Sequence, residues 1–112
     1  MVDQEGLKLE TELEIKNVEV EIKELEIEIY RNNLDSIHLK EDIEEKVPKE
    51  DIEVFLSGNN PNNPILSNNI KRMGKLTYIN YGLEDEKFSL ISYKEDLVKQ
   101  LENMEKGIEY KG

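Results

Sequence analysis

The chain has 112 residues, 37% of them charged, and a formal net charge of −11. It contains no cysteine, which excludes disulfides, thiolate metal sites and cysteine nucleophiles. The negative charge opposes nonspecific attraction to nucleic acid or anionic lipid. This length predicts one domain, or a small domain with a helical extension.

The composition also suggests where the protein works. No basic leader precedes an apolar run, and no apolar stretch reaches 18 residues, so we expect neither a signal peptide nor a membrane span. Abundant Ile, Lys, Asn and Glu are typical of an AT-rich genome. We therefore predict a cytoplasmic protein, either of a low-GC bacterium or of a phage in the cytoplasm of its infected host.

Three nearly identical heptapeptides, TELEIKN, VEVEIKE and LEIEIYR, fill residues 11–31. Apolar and charged residues alternate within each repeat, which is typical of strands, so a β-meander is one interpretation. Its outer face would set Glu opposite Glu, and its two-residue loops would lack glycine; both features disfavour a sheet. A helix is the other interpretation, because apolar residues continue at alternating steps of three and four beyond the repeats.

This second interpretation predicts an oligomerising coiled-coil helix over residues 1–47, stopped by Pro48 and with a possible break at residues 31–33. A helix of that length has more apolar surface than a small domain covers, so we expect it to pair with a second copy. The predicted oligomer interface consists of Ile15, Val18, Ile22, Leu25, Ile29, Asn32, Leu39 and Ile43. Asn32 is a polar interruption of the kind that sets register and oligomer state.

A second apolar row recurs every seven residues on the opposite side of the predicted helix. We call it the docking stripe; it consists of Leu13, Val20, Ile27 and Leu34. A simple two-stranded coiled coil keeps that side polar. The docking stripe therefore predicts either packing inside a larger bundle or a surface that binds another protein.

Residues 48–112 predict a small α+β domain. Alternating patterns at Asp51–Leu56, Lys75–Tyr81 and Lys87–Ile91 indicate a three-stranded antiparallel sheet, with Gly82 in a turn. Residues 65–73 suggest a short helix before Gly74. Ser92 and Glu95 form a capping box ahead of a helix over residues 93–106, which we expect to pack on the sheet.

Few residues in this half suggest a binding site. The segment SGNNPNN predicts a loop, whose exposed amides at Asn59, Asn60, Asn62 and Asn63 form a possible recognition loop. One basic spot is formed by Lys71, Arg72 and Lys75. Three positive charges are few for phosphate contacts, and pairing with Glu-rich helices explains them more readily.

No pattern of catalytic, metal-binding or cofactor-binding residues is present, and His38 stands alone. The sequence therefore predicts a non-enzymatic protein-binding module without cofactor or metal. It would self-associate as a dimer or higher oligomer through its N-terminal helix and act as an adaptor, assembly factor or inhibitor of a protein partner, for which a basic protein is one candidate.

Three alternatives remain open from the sequence. An acidic nucleic-acid mimic would inhibit a DNA- or RNA-binding protein, such as an anti-phage defence enzyme, through rows of Glu every seven residues along the helix. A small-ligand protein would use pockets between subunits, with Tyr78 or Tyr81 as contacts. A weak DNA binder would use the basic spot.

Overall fold

The protein is all-helical in the residues that its structure, a computed structural model, describes: 4–60 and 62–107. Helix α1 spans Gln4–Lys46, α2 spans Lys49–Leu56 and α3 spans Pro64–Glu105. None of these residues lies in a β-strand. The predicted α+β fold with a three-stranded sheet is therefore wrong, while the long N-terminal helix of the prediction is present.

Each predicted strand lies inside a helix. Residues 51–56 belong to α2, and both predicted hairpin strands belong to α3. The short helix at residues 65–73 and the terminal helix from residue 93 are parts of that same helix, which passes through Gly74 and Gly82 without a turn. Likewise α1 continues through residues 31–33 without a break, so the β-meander is wrong as well.

A heptad pattern explains why α3 is one helix. Residues spaced alternately three and four apart are all buried or half-buried, and most are apolar: Leu66, Asn69, Met73, Leu76, Asn80, Leu83, Lys87, Leu90, Lys94, Leu97, Leu101 and Met104. This spacing keeps one stripe of a helix facing a partner helix. The short-range alternation in KLTYINY does not follow this heptad spacing, and the burial of its side chains does not alternate.

Local sequence determines where the helices begin and end. Pro48 follows the last turn of α1, where its missing N–H and its ring prevent the helix from continuing. At the start of α3, the Asn63 side-chain oxygen accepts hydrogen bonds from the N–H groups of Ile65 (2.9 Å) and Leu66 (3.3 Å), ahead of Pro64 at the first helical position. Gly107 ends α3 with φ +69°, as expected for a helix terminator.

The chain divides into two compact units, each of which combines part of α1 with part of α3. The first unit comprises Met1–Ile27 and Glu84–Gly112. Its described core contains Ile15, Val18, Ile22 and Leu97, with Leu90, Ile91, Val98 and Leu101 packed against it. Its two helix segments are antiparallel, because ion pairs join Lys8 to Glu105, Glu19 to Lys94 and Glu26 to Lys87.

The second unit, Glu28–Leu83, contains the rest of α1, all of α2 and the beginning of α3. Its buried residues include Ile29, Leu39, Val47, Leu66 and Asn69. The prediction placed a domain boundary after residue 47, between sequential segments. Each observed unit instead joins residues that are distant in sequence.

The helical course of α3 through Gly82 can be tested by substitution. Nothing lies within 4 Å of a Cβ built on this glycine, so Gly82→Ala should raise the free energy of unfolding by about 0.5–1 kcal/mol through its better helix propensity. The measurement is urea unfolding followed by circular dichroism.

Gly58 provides the control, because its φ of +92° strains any side chain. Gly58→Ala should lower the free energy of unfolding by about 1 kcal/mol. Destabilisation by Gly82→Ala as well would indicate a turn at Gly82 and contradict a continuous α3.

Candidate functional site

The predicted oligomer interface lies inside the single chain. Its apolar members are buried, apart from one half-buried residue: Ile15, Val18, Ile22, Leu25, Ile29 and Leu39 are buried and Ile43 is half-buried. In the first unit, α3 side chains of the same chain cover this row. A second copy is therefore not needed to remove these residues from water, and their contact with one stays a prediction.

The docking stripe, in contrast, faces solvent in the first unit. Leu13 is 60% exposed, Val20 57% and Ile27 49%, whereas Leu34, in the second unit, is half-buried. Exposed apolar side chains are common singly. These three recur every seven residues, about 10 Å apart along one face of α1, and apolar residues at such spacing are typical anchors of a helix that binds another protein.

An open groove of about 1350 Å³ runs beside this stripe within the first unit. Its apolar lining includes Val20 and Ile27 from α1 and Ile91 and Val98 from α3. Its charged lining contains both signs: Lys16, Lys23, Lys94, Lys99, Glu19, Glu24, Glu26, Glu95 and Glu102. The groove combines an apolar surface with mixed charges, which suits a partner helix better than a small polar ligand.

Intrachain lysines offset part of the acidic row along α1. Glu19 pairs with Lys94 at 3.3 Å. Glu26 pairs with Lys87 at 3.7 Å and with Lys23 at 3.3 Å. The Glu14 carboxylate accepts a long hydrogen bond from Tyr93, at 3.5 Å. The acidic surface is therefore interrupted by positive charge near the docking stripe.

Asparagine side chains join α1 to α3 by hydrogen bonds within the second unit. The amide nitrogen of Asn32 donates to the Asn80 side-chain oxygen at 2.8 Å. The Asn80 amide nitrogen in turn donates to the Asn33 side chain at 3.0 Å and to the Ile29 carbonyl at 3.4 Å. Since each amide needs a specific partner, these bonds favour one alignment of α1 against α3. Asn32 thus has a partner inside its own chain.

A second asparagine contact involves a charged pair. Asn69 is buried, and its amide nitrogen donates to the Leu39 carbonyl and to the Asp42 carboxylate, both at 3.1 Å. Lys46 lies 2.8 Å from the same carboxylate. Hydrogen bonds from Lys46 and then Asn69 lower the pKa of Asp42 below its ordinary value, and the bond to Asp42 raises the pKa of Lys46.

The possible recognition loop divides into two kinds of residue. Asn59, Asn60 and Asn62 are exposed. Asn63 is half-buried and caps α3, and its amide nitrogen also donates to Asp51 at 3.3 Å. Its side chain therefore has a structural role, and only the other three remain available for recognition.

The remaining candidates lie on the surface. Lys71, Arg72 and Lys75 are exposed on α3. Tyr78 and Tyr81, the proposed small-ligand contacts, are also highly exposed there. The interpretation of the basic spot and of these tyrosines stays a prediction.

His38 is exposed, with its Nδ1 atom 3.6 Å from Glu41. In the residues that the structure describes, no group of three or more His, Cys, Asp or Glu side chains is placed to hold a metal ion. No helix in the described ranges combines the length and apolar content needed to cross a membrane.

Comparison of the chain with protein-family models, curated proteins and solved structures finds no match.

The buried asparagine contact should contribute measurably to stability. Asn69→Ala removes the donor that reaches the Leu39 carbonyl and Asp42, and should lower the free energy of unfolding by about 1–3 kcal/mol. Asn68→Ala, at the exposed neighbouring position, should change it by at most about 0.5 kcal/mol. Equal effects of the two substitutions in urea unfolding would contradict a specific role of Asn69.

The Asp42 contact should also depend on pH. Because the pKa of Asp42 is lower in the folded state than its ordinary value of 3.8, its contribution is complete above that value and lost as the pH falls through the folded-state pKa. Asp42→Asn should therefore be less stable than wild type at pH 7, and the difference should disappear in strong acid. Urea unfolding of both proteins across this range measures it, and a difference that grows towards low pH would contradict the assignment.

Proposed function

We propose that this chain is a non-enzymatic protein-binding module that self-associates through α1 and acts as an adaptor, assembly factor or inhibitor of a protein partner. The observation that carries the proposal is the docking stripe of the first unit. Leu13, Val20 and Ile27 remain exposed although the opposite face of α1 is buried against α3. When one apolar row of a helix is already buried, an exposed apolar row on its other face can bind another protein.

The position of the acidic residues supports this proposal over a nucleic-acid mimic. A mimic needs uncompensated carboxylates in a continuous row, because duplex phosphates are closely spaced. Two carboxylates of the Glu12–Glu19–Glu26 row lie in ion pairs with lysines. Lysine charges in the row weaken the resemblance to a phosphate backbone, while an apolar surface edged by both charge signs remains useful to a protein partner.

The polar residues nearby likewise support binding over catalysis. The carboxylates of α1 lie on the surface of a regular helix, several beside lysines, an arrangement typical of solvated charge. Binding of a small ligand between subunits would need a second copy to close the groove, so that alternative depends on the same self-association.

The proposal predicts that partner binding requires the docking stripe. Tagged wild-type protein should retain a protein partner from its host, and Val20→Ser/Ile27→Ser should retain about tenfold less, since a combined loss of about 1.4 kcal/mol from two truncations at the centre of an interface gives that factor. The retained material is examined for protein, nucleic acid and small molecules, and partner affinity is then measured with purified components.

Val54→Ser/Ile79→Ser is the matched control. It removes one valine and one isoleucine of similar exposure, 43% and 47%, from the second unit, and should bind as wild type does. Retention of nucleic acid in place of protein, or equal retention by the stripe variant, would contradict the proposed function.

A further inference from the structure

The charges around the docking stripe identify the kind of partner that fits it. The groove of the first unit is lined by four lysines and five glutamates, whereas the whole chain has 15 basic and 26 acidic residues. This surface is therefore nearly neutral within a strongly acidic protein. Two copies of the chain repel each other least where these surfaces meet, and a strongly basic or strongly acidic partner gains little there.

Several of these charges are already compensated within the chain. Glu19, Glu26, Lys23 and Lys94 take part in ion pairs. Lys16 and Glu24, both exposed in the groove lining, form no ion pair with any residue that the structure describes. They lie eight residues apart on α1, about 12 Å along the helix, so they do not neutralise each other.

The arrangement of residues around Val20 is self-complementary. Lys16 and Glu24 lie four residues before and after it, and Leu13 and Ile27 lie seven residues before and after it. At 100° per residue, all four lie within about 40° of Val20 around the helix. Reversing the direction of a second α1 about Val20 therefore places lysine opposite glutamate twice and leucine opposite isoleucine twice, as a two-fold interface requires.

We infer that a second copy of this chain lies antiparallel across the outward face of α1 in the first unit, with Val20 near the two-fold axis and Lys16 facing Glu24 of the partner subunit. This inference rests on the proposed self-association and assigns it to the docking stripe; the stripe variant of the proposed function would then lose its partner because it loses the dimer. The interface differs from the one predicted from the sequence, of which Ile15, Val18 and Ile22 are buried against α3. The α1 lining of the groove extends from Lys16 to Ile27, a stretch of helix about 18 Å long.

A charge swap tests this geometry. In the full-length chain, Lys16→Glu places two carboxylates opposite each other at both ends of the interface, and Glu24→Lys does the same with two ammonium groups. Each single variant should self-associate about tenfold more weakly than wild type, because two exposed attractions become two repulsions. Lys16→Glu/Glu24→Lys restores both attractions and keeps the net charge, so it should associate within about twofold of wild type. Sedimentation equilibrium at micromolar concentrations measures all of these.

Lys75→Glu is the control for net charge. It changes the total charge as Lys16→Glu does, but at an exposed residue of the second unit, and should associate as wild type. An equimolar mixture of the two single groove variants should form mixed dimers, which also demonstrates that both variants fold.

The possible failures are distinguishable. A monomeric wild type would overturn both this inference and the self-association in the proposed function. A dimeric wild type whose single variants associate normally, or whose double variant is not restored, would overturn the antiparallel α1 interface and leave the proposed function standing. Restoration by the second reversal supports the interface, because residues 16 and 24 contact each other only between chains.

Discussion

The structure depends on the burial of one long apolar row. Helix α1 has 43 residues, and its buried and half-buried, mostly apolar residues keep a three-and-four spacing, so it needs a partner of comparable length. Helix α3, with 42 residues and the same spacing, is that partner. Intramolecular pairing has an advantage over pairing between chains, because the connecting segment keeps the second helix at high effective concentration. The short α2 and its adjoining loop make this reversal of chain direction.

Polar residues in the buried row give the pairing its alignment. An all-apolar row permits slippage by a heptad, whereas an unpaired amide in the interface is costly. The Asn32–Asn80 and Asn69–Asp42 contacts are satisfied in only one alignment. In the first unit, the equivalent positions of α3 carry Lys87 and Lys94, which reach outward to glutamates of α1. Amide hydrogen bonds thus set the alignment of the helices in the second unit, and ion pairs flank the buried row in the first unit.

The sequence is sufficient to predict α1 as a helix, but it is not sufficient to predict α3, the helix that packs against it. Repeated heptads between residues 11 and 31 made the first helix recognisable. In α3, Asn69, Asn80, Lys87 and Lys94 occupy heptad positions and weaken the apolar signal. Alternation in KLTYINY and glycines at 74 and 82 then favoured strands and turns by local propensity, which tertiary packing overrides. The sequence therefore assigns the predicted oligomer interface to a second copy, whereas in the first unit Ile15, Val18 and Ile22 pack against α3 of the same chain. Spacing alone predicts the docking stripe, but its exposure follows from which face of α1 the α3 helix covers.

Because α3 covers one face of α1, the apolar row on the opposite face of α1 remains exposed in the first unit. Leu13, Val20 and Ile27 would be ordinary core residues if the chain folded into a three-helix bundle, yet α2 is eight residues long and lies in the other unit. No described segment of the chain covers them in the first unit. Because α1 is rich in glutamate, its outward row can be buried only by a surface that does not add to the negative charge. The groove meets that condition locally, because its lysines and glutamates nearly balance. Lys16 and Glu24 lie at reciprocal positions about Val20, so an identical second surface can pair each of them with the opposite charge.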